Sequence, residues 1–450
     1  MQGQFENYFN PQEIEQLARS TQFVQRQGML DGLTFLRLIV FNKDSLATES
    51  LNDLTVTLKK EYHVDITKQS LHERFSVHAV AFLKIALDTL FHKQLYTKVN
   101  FNNCKEFKRF LIKDSVCFQV DESLADQYPG SGGSGSKANV RIQFEYDLLH
   151  GKIVDLSINA FNDQDASNST ATIDVIEQGD LVVRDLAYMH LEVLHEIINK
   201  SADFLCRLNT QTKVYQLQDD EFIELDCTLI VEAMRKNNIG KTEEVVWLGK
   251  DQELKVRLFI FLMPEDEYNK RIRKAQKNAQ KKGRQLSKKF KTRAWLNLFI
   301  TSATPDVITI DTAWKIYSLR WQIELIFKVW KSIWKIDKVK KVKKERLDCY
   351  ILSKLFIIIL TWQVVWFTGK LMRQFYERNI SGFKAFKTLM KDVARLEMIF
   401  AERSLSLVDY LIEFLQISSK KHVLEQRRGH RYSPDLLYSS LTVVSDLNCE

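Results

Sequence analysis

The sequence predicts a mixed α/β chain: a mixed sheet with a β-rich insertion, flanked by helical N- and C-terminal regions. Three observations carry this. Up to about residue 95, apolar residues recur at helical spacing behind capping residues. From Phe110 the texture changes to runs of β-branched and aromatic residues with turn signals between them. Beyond about residue 350 the pattern is helical again.

Taken in order, Asn10-Pro11-Gln12-Glu13 supplies a cap, a proline at the first helical position and an acid at the third, a good helix start. Ser50 to Tyr62 and Thr67 to His92 read as two helices joined by a short turn, with Leu54, Leu58, Leu71, Phe75 and Ala79 as a shared core. Lys68, Gln69, His72 and Arg74 lie early on the second, which suits either a DNA-reading helix-turn-helix or a plain helical hairpin. Phe110–Val120, Asn139–Leu149 and Lys152–Ala160 read as three strands. The turn Pro129–Lys137 is rich in Gly and Ser but lacks G-x4-G-K-[ST], so no nucleotide loop follows from it. Gly179–His190 begins as a short apolar strand ending in Asp185, then a helix runs to about Lys200, and Phe204–Leu208 is another strand. Three strands, a strand, a helix and a strand suit a ribonuclease-H-like core. Residues 209–294 interrupt it, strand-like through Pro264 and basic after that. Ala294–Ser302 re-enters the core as a strand. The division expected is therefore 1–95, a helical domain that binds DNA ends; 107–208, the first part of the core; 209–294, the insertion; 295–370, the second part of the core; and 371–450, a helical region suited to dimerisation.

Composition narrows the function. Apolar residues make up 45% of the chain, enough for real cores. The six cysteines, Cys104, Cys117, Cys206, Cys227, Cys349 and Cys449, form no C-x2-C pair, which argues against a zinc module or a disulfide framework and for a reducing compartment. The first residues have no basic and apolar regions of a signal peptide. The uncharged stretch Leu355–Gly369 is short for a membrane span and reads as a buried helix. Net charge is +8, but Lys270–Arg293 holds twelve Lys or Arg and no acid, and Lys328–Arg346 holds nine against Asp337 and Glu345. The rest of the chain is net acidic. Such concentrated basic stripes point to a polyanion, nucleic acid first.

Between those stripes lies Tyr317-x2-Arg320-x3-Glu324-x6-Lys331. Wound as one helix, the four polar residues fall at about 0°, 300°, 340° and 320°, and Leu319, Ile323, Ile326 and Trp330 form an adjacent apolar stripe. Two cations about one carboxylate suit a site for both metal and phosphate. Phosphodiester cleavage at neutral pH needs an activated water and a stabilised leaving oxygen, which two Mg²⁺ held by converging carboxylates supply. Glu324 is one acid. Asp114 is a charge inside an apolar strand, costly without a partner. Asp185 ends a strand at the carboxyl edge, where ligands gather in open sheets. The rivals Asp121, Glu122 and Asp126 crowd the loop after the first strand.

The Tyr-Arg-Glu-Lys segment resembles the signature of the bacterial DDE transposases named after insertion sequence four. Asp114-Ser115, Asp185-Leu186-Ala187-Tyr188 and Arg207 fit the same family pattern, with Ala187 where the family usually has Gly. The resemblance covers roughly residues 107–370. It implies cut-and-paste transposition through a DNA hairpin, with Asp114, Asp185 and Glu324 as catalytic metal ligands for two Mg²⁺ ions, Mn²⁺ being able to substitute. It also implies DNA contacts: Trp295 stacked on a flipped base, Tyr317 and Arg320 on its phosphate, and Lys331 on a nearby strand. The partners expected are double-stranded DNA, both terminal inverted repeats and target, and a second copy in a homodimer, in the cytoplasm at the bacterial nucleoid with no membrane. The alternatives are a ribonuclease-H-like nuclease without strand transfer and an inactive transposase-derived DNA-binding protein.

Overall fold

In the computed structural model the described residues are 9–26, 28–42, 49–94, 107–132, 135–209 and 211–425. Cys104, Cys449, the turn tip at 133–134 and the end of the 371–450 region lie outside them.

Five helices come first among the described residues: α1 Pro11–Ser20, α2 Gly32–Val40, α3 Leu51–Tyr62, α4 Lys68–Arg74 and α5 Val77–His92. The expected cap is made, with the Asn10 side chain accepting from Gln12 N and Glu13 N. Leu54, Leu58, Leu71, Phe75 and Ala79 are all fully buried. The long second helix is corrected: α4 and α5 are two helices bent by 59°. Phe75 leaves the helical region at ψ 81°, and Ser76 caps a new helix by accepting from Ala79 N.

Ten strands follow: β1 Arg109–Gln119, β2 Asn139–Asp147, β3 Lys152–Ala160, then helix α6 Asp165–Ala171, β4 Asp180–Arg184, helix α7 Leu191–Asn199, β5 Asp203–Arg207, β6 Val214–Gln218, β7 Glu221–Glu224, helix α8 Cys227–Lys236, β8 Lys241–Leu248, β9 Leu254–Leu262, helices α9 Glu265–Lys281 and α10 Lys288–Arg293, and β10 Leu296–Thr301. They form one sheet in the order β3-β2-β1-β4-β5-β10-β9-β8-β6-β7. β1, β2 and β3 are antiparallel, and β4 and β5 run parallel to β1. That is the ribonuclease-H-like arrangement. The insertion strands prolong the same sheet outward from β10, which lies antiparallel to β5.

Period-two alternation buries both faces. Phe110, Ile112, Val116, Val183 and Phe299 face one core, which runs from Phe9 to Phe414 and includes the terminal helices. Leu111, Val182, Leu298 and Ile300 face the other, beneath α7 and α8. A slip of one residue would exchange these faces.

The chain then forms α11 Ile310–Ser318, a 3₁₀ turn Leu319–Trp321, α12 Gln322–Ser332, and α13 Lys344–Tyr376, followed by α14 Gly382–Lys391, α15 Val393–Phe400 and α16 Leu407–Lys421. The expected buried helix at Leu355–Gly369 is the middle of α13. This helix is long and apolar enough to cross a membrane, yet its most apolar window is 83% buried, packed against α2, α5 and α16.

Candidate active site

The Tyr317–Lys331 segment is not one helix, as the sequence suggests, but two joined by a tighter turn. At the junction the Ser318 hydroxyl donates to the Lys315 carbonyl at 2.6 Å. The 3₁₀ step rotates Tyr317 relative to Glu324. The apolar stripe is buried as expected, with Leu319, Ile323, Ile326 and Trp330 all in the core. Tyr317 and Arg320 are buried as well, at 6% and 8% exposure, whereas Glu324 is half-buried.

Arg320 is the centre of this site. Its guanidinium donates to Asp114 Oδ2 at 3.2 Å and to Glu324 Oε1 at 3.2 Å. Asp185 adds to the field that holds Arg320 charged, and Asp114 and Glu324 do so as well. Asp114 lies on β1, on the face turned to α12. Asp185 follows the last residue of β4, one step beyond the register pair Lys113↔Arg184. Parallel pairing thus sets Asp114 and Asp185 side by side at one sheet edge.

Burial pushes the Asp114 carboxyl up to about 6, against the pull of Ser115 N–H and Arg320, with Asp185 adding repulsion. One cation shared among three acids gives each a fraction of its attraction, so the cost of burial wins at Asp114 while Arg320 itself is held charged. Among the described residues, no three His, Cys, Asp or Glu side chains are close enough to close on a metal ion. The donor set itself fits a hard divalent cation: carboxylate oxygens arranged about a positive charge that Arg320 now supplies. The Arg320 Nε is buried and unpartnered, leaving a donor to spare.

Lys331 Nζ donates to the Cys117 carbonyl, tying the end of α12 to β1. Tyr317 packs its ring on Phe299 at 4.9 Å, and the Arg207 guanidinium lies 5.6 Å over it. Trp295 precedes β10, at the edge where β1, β4 and β5 end, and is half-buried. Asp121 caps a short turn and Glu122 pairs with Lys137.

The basic run is helical, α9 and α10, and α9 buries no residue. Three of its twelve cations are engaged locally. Lys270 pairs with Asp266 and Glu267, Arg271 donates to the Ala294 and Leu296 carbonyls, and Arg293 donates to the Leu208 and Asn209 carbonyls. Arg273, Lys274, Lys277, Lys281, Lys282, Arg284, Lys288, Lys289 and Lys291 are exposed.

Sequence reasoning missed a polar layer on the other face of β1 and β2. Asp165 accepts from Arg141, from Gln143 at 2.9 Å and from the Tyr188 hydroxyl at 2.9 Å. Beside it Arg184 holds Glu145 bidentately, and Lys113 pairs with Asp155 at 2.7 Å. The alternation of Arg141, Gln143, Glu145 and Asp147 along β2 was the available signal.

Residues 105–360, more than half of the 450, match the family model described as a transposase DDE domain. Over 98% of its length the chain is 28% identical to the transposase for insertion sequence element IS231B of Bacillus thuringiensis subsp. berliner, covering 94% of that protein. Over 86% of its length it is 29% identical to the transposase for insertion sequence element IS1151 of Clostridium perfringens, covering 85%. The cryo-EM structure of the piggyBac transposase synaptic complex with hairpin DNA aligns over 96% of this chain and 88% of that one, at 11% identity and a TM-score of 0.45.

Proposed function

The chain belongs to the transposase DDE domain family, an enzyme of DNA transposition, and from that premise we propose that it moves an insertion sequence by cut and paste through a DNA hairpin, as a transposase of the insertion-sequence-four type. The observation that carries the reading is the convergence of Asp114 and Glu324 on Arg320, with Asp185 in the same field.

Asp114, Asp185 and Glu324 would hold two Mg²⁺ ions, or Mn²⁺ in their place. When bound, these supply the activated water and the stabilised leaving oxygen of phosphodiester cleavage. The Asp114 carboxyl, pushed up to about 6 by burial, must lose its proton to bind a cation, so protons and the metal compete for it. Arg320 then leaves the acids for the scissile or extruded phosphate, with its spare Nε as a further donor. Tyr317 supports that phosphate, Lys331 contacts a neighbouring strand, and Trp295 stacks on the flipped base. The exposed cations of α9 and α10 follow the phosphate backbone. Residues 1–95 bind the terminal repeats. Residues 107–208 and 295–370 form the catalytic core around the insertion 209–294. Residues 371–450 join two copies in the synaptic complex, in the cytoplasm at the nucleoid.

The experiment is a time course on a labelled transposon-end duplex with Mg²⁺, resolving nicked, hairpin and blunt products, followed by a strand-transfer assay. Nicks, then hairpins, then joined products are expected. Cleavage without joining would make the chain a nuclease only, and blunt ends without a hairpin would mean another exit from the donor.

A further inference from the structure

Trp295 carries a cover on both faces. Its indole is stacked on the Tyr268 ring at 3.9 Å between centroids and 8° between planes. The Arg235 guanidinium carbon lies 4.5 Å over the same ring. A ring at van der Waals distance fills one face, so the guanidinium takes the other. A nucleobase therefore cannot stack on Trp295 as the structure stands; one cover has to leave.

We propose that Tyr268 is the placeholder of the nucleobase site: the flipped base exchanges with the Tyr268 ring and is held in a sandwich of base, Trp295 and Arg235. This inference rests on the base-stacking role given to Trp295 above. The surroundings decide which cover moves. The backbone of the platform is clamped, because Trp295 O accepts from Met263 N at 2.7 Å. The helix that carries Tyr268 is clamped too. One turn along α9, Arg271 donates to the Ala294 and Leu296 carbonyls at 3.0 and 3.1 Å and to Asn297 Oδ1 at 2.6 Å. Only the Tyr268 side chain is left to swing, and it is half-buried at the helix start, next to the exposed acids Glu265, Asp266 and Glu267. Arg235 lies in the last turn of α8. Its charge favours both the indole face and an approaching phosphodiester, so DNA gives it no reason to leave.

The consequence is a threshold. Aromatic replaces aromatic, so capture of the base yields only the difference between two stacks. Tyr268 thereby competes with the base and holds back hairpin formation, while nicking, which needs no flipped base, is outside its reach. Removing the competitor accelerates the hairpin step; removing the platform slows it. An aromatic pair of this kind corresponds to about two- to tenfold in rate.

The test uses the full-length protein on a labelled transposon-end duplex with Mg²⁺, reading the ratio of hairpin-forming to nicking rate in wild type, Tyr268→Ala, Tyr268→Phe and Trp295→Ala. Tyr268→Ala is expected to raise the ratio about two- to tenfold. Tyr268→Phe, which keeps a stacking ring and guards against loss of fold, moves it less than Tyr268→Ala does. Trp295→Ala lowers it. A ratio lowered in Tyr268→Ala would make the tyrosine part of the platform, and an unchanged ratio there beside a lowered one in Trp295→Ala would make it inert packing; either overturns the placeholder while leaving the base-stacking reading in place. An unchanged ratio in Trp295→Ala would overturn the stacking reading, and the placeholder with it.

Discussion

At the acid centre one guanidinium, Arg320, is shared by carboxylates carried on β1 and α12, both packed into the main core. At Trp295, along the same sheet edge, an indole is covered by side chains from α8 and α9, and α9 buries nothing. The first place is balanced by charge and anchored through strands that cannot slip without inverting the sheet. The second is made of flat groups, one of them on a helix that buries no residue. On the proposed reading the difference is one of replaceability: the acids draw in around a metal ion as Arg320 gives way, whereas at Trp295 the platform stays and its cover changes.

The largest effect should fall on the fixed parts. Asp114→Ala, Asp185→Ala or Glu324→Ala should each reduce cleavage by on the order of 10³-fold or more while leaving binding of the transposon end intact. A chelator should do the same to wild type. Cleavage surviving in any one of the three would remove that acid from the centre.

At the replaceable site, Trp295→Ala should slow hairpin formation roughly ten- to a hundredfold and spare the first nick, since stacking of a base on an aromatic ring is worth about 1–3 kcal/mol. Equal slowing of both steps would reduce Trp295 to packing.

The acid centre should also be a burden on the fold. Asp114 rises from its ordinary value to about 6, so its contribution to stability is fully present only at low pH, below the unfolded value, and is lost as pH rises through 6. Asp114→Asn mimics the protonated form. It should stabilise the metal-free protein by about 3 kcal/mol at pH 7.5, and the gain should shrink to a small fraction of that near pH 4. Thermal melts of the two proteins at both pH values measure this; a gain that is the same at both would assign it to something other than the charge.

The smallest effects per residue are expected on the basic helices, and they separate two kinds of cation. Changing Lys274, Lys277 and Lys281 to Gln should lower the salt slope of DNA binding by about 3, close to 0.9 per phosphate contact. Arg271→Gln should leave the slope alone and lower stability, because its donors serve the carbonyls that start β10. Slopes measured between low and physiological salt decide it.

The same contrast explains what the amino-acid sequence made legible. The strands were readable because β4 and β10 are short, largely apolar runs and β1 mixes β-branched and aromatic residues, and Asp114 and Asp185 stood out as charges inside one strand and at the end of another. The buried stripe of Leu319, Ile323, Ile326 and Trp330 was readable from spacing alone. The break between α11 and α12 was not: the backbone stays right-handed helical through the 3₁₀ turn, which leaves the spacing unchanged. Nor was the bend at Phe75–Ser76, because apolar periodicity continues across it. The polar layer on β2 was not legible, because every residue of that strand is buried and its charges are answered by Arg184, Lys113 and Asp165 from elements distant in sequence. The cover on Trp295 depends likewise on residues 27 and 60 positions away, brought together only by the sheet.

The central claim is that Asp114, Asp185 and Glu324 are ligands of one divalent-metal centre, and ligand replacement tests it most directly. Each acid is changed in turn to Cys, and cleavage of the transposon-end duplex is followed in Mg²⁺ and in Mn²⁺. A thiolate is a poor ligand for Mg²⁺ and a tolerable one for the softer Mn²⁺. The account predicts that the Cys variants are inactive in Mg²⁺ and gain at least about tenfold in Mn²⁺ relative to the corresponding Ala variants. Cleavage in Mg²⁺ at the wild-type rate by any Cys variant, or no gain in Mn²⁺ by any of the three, would contradict it.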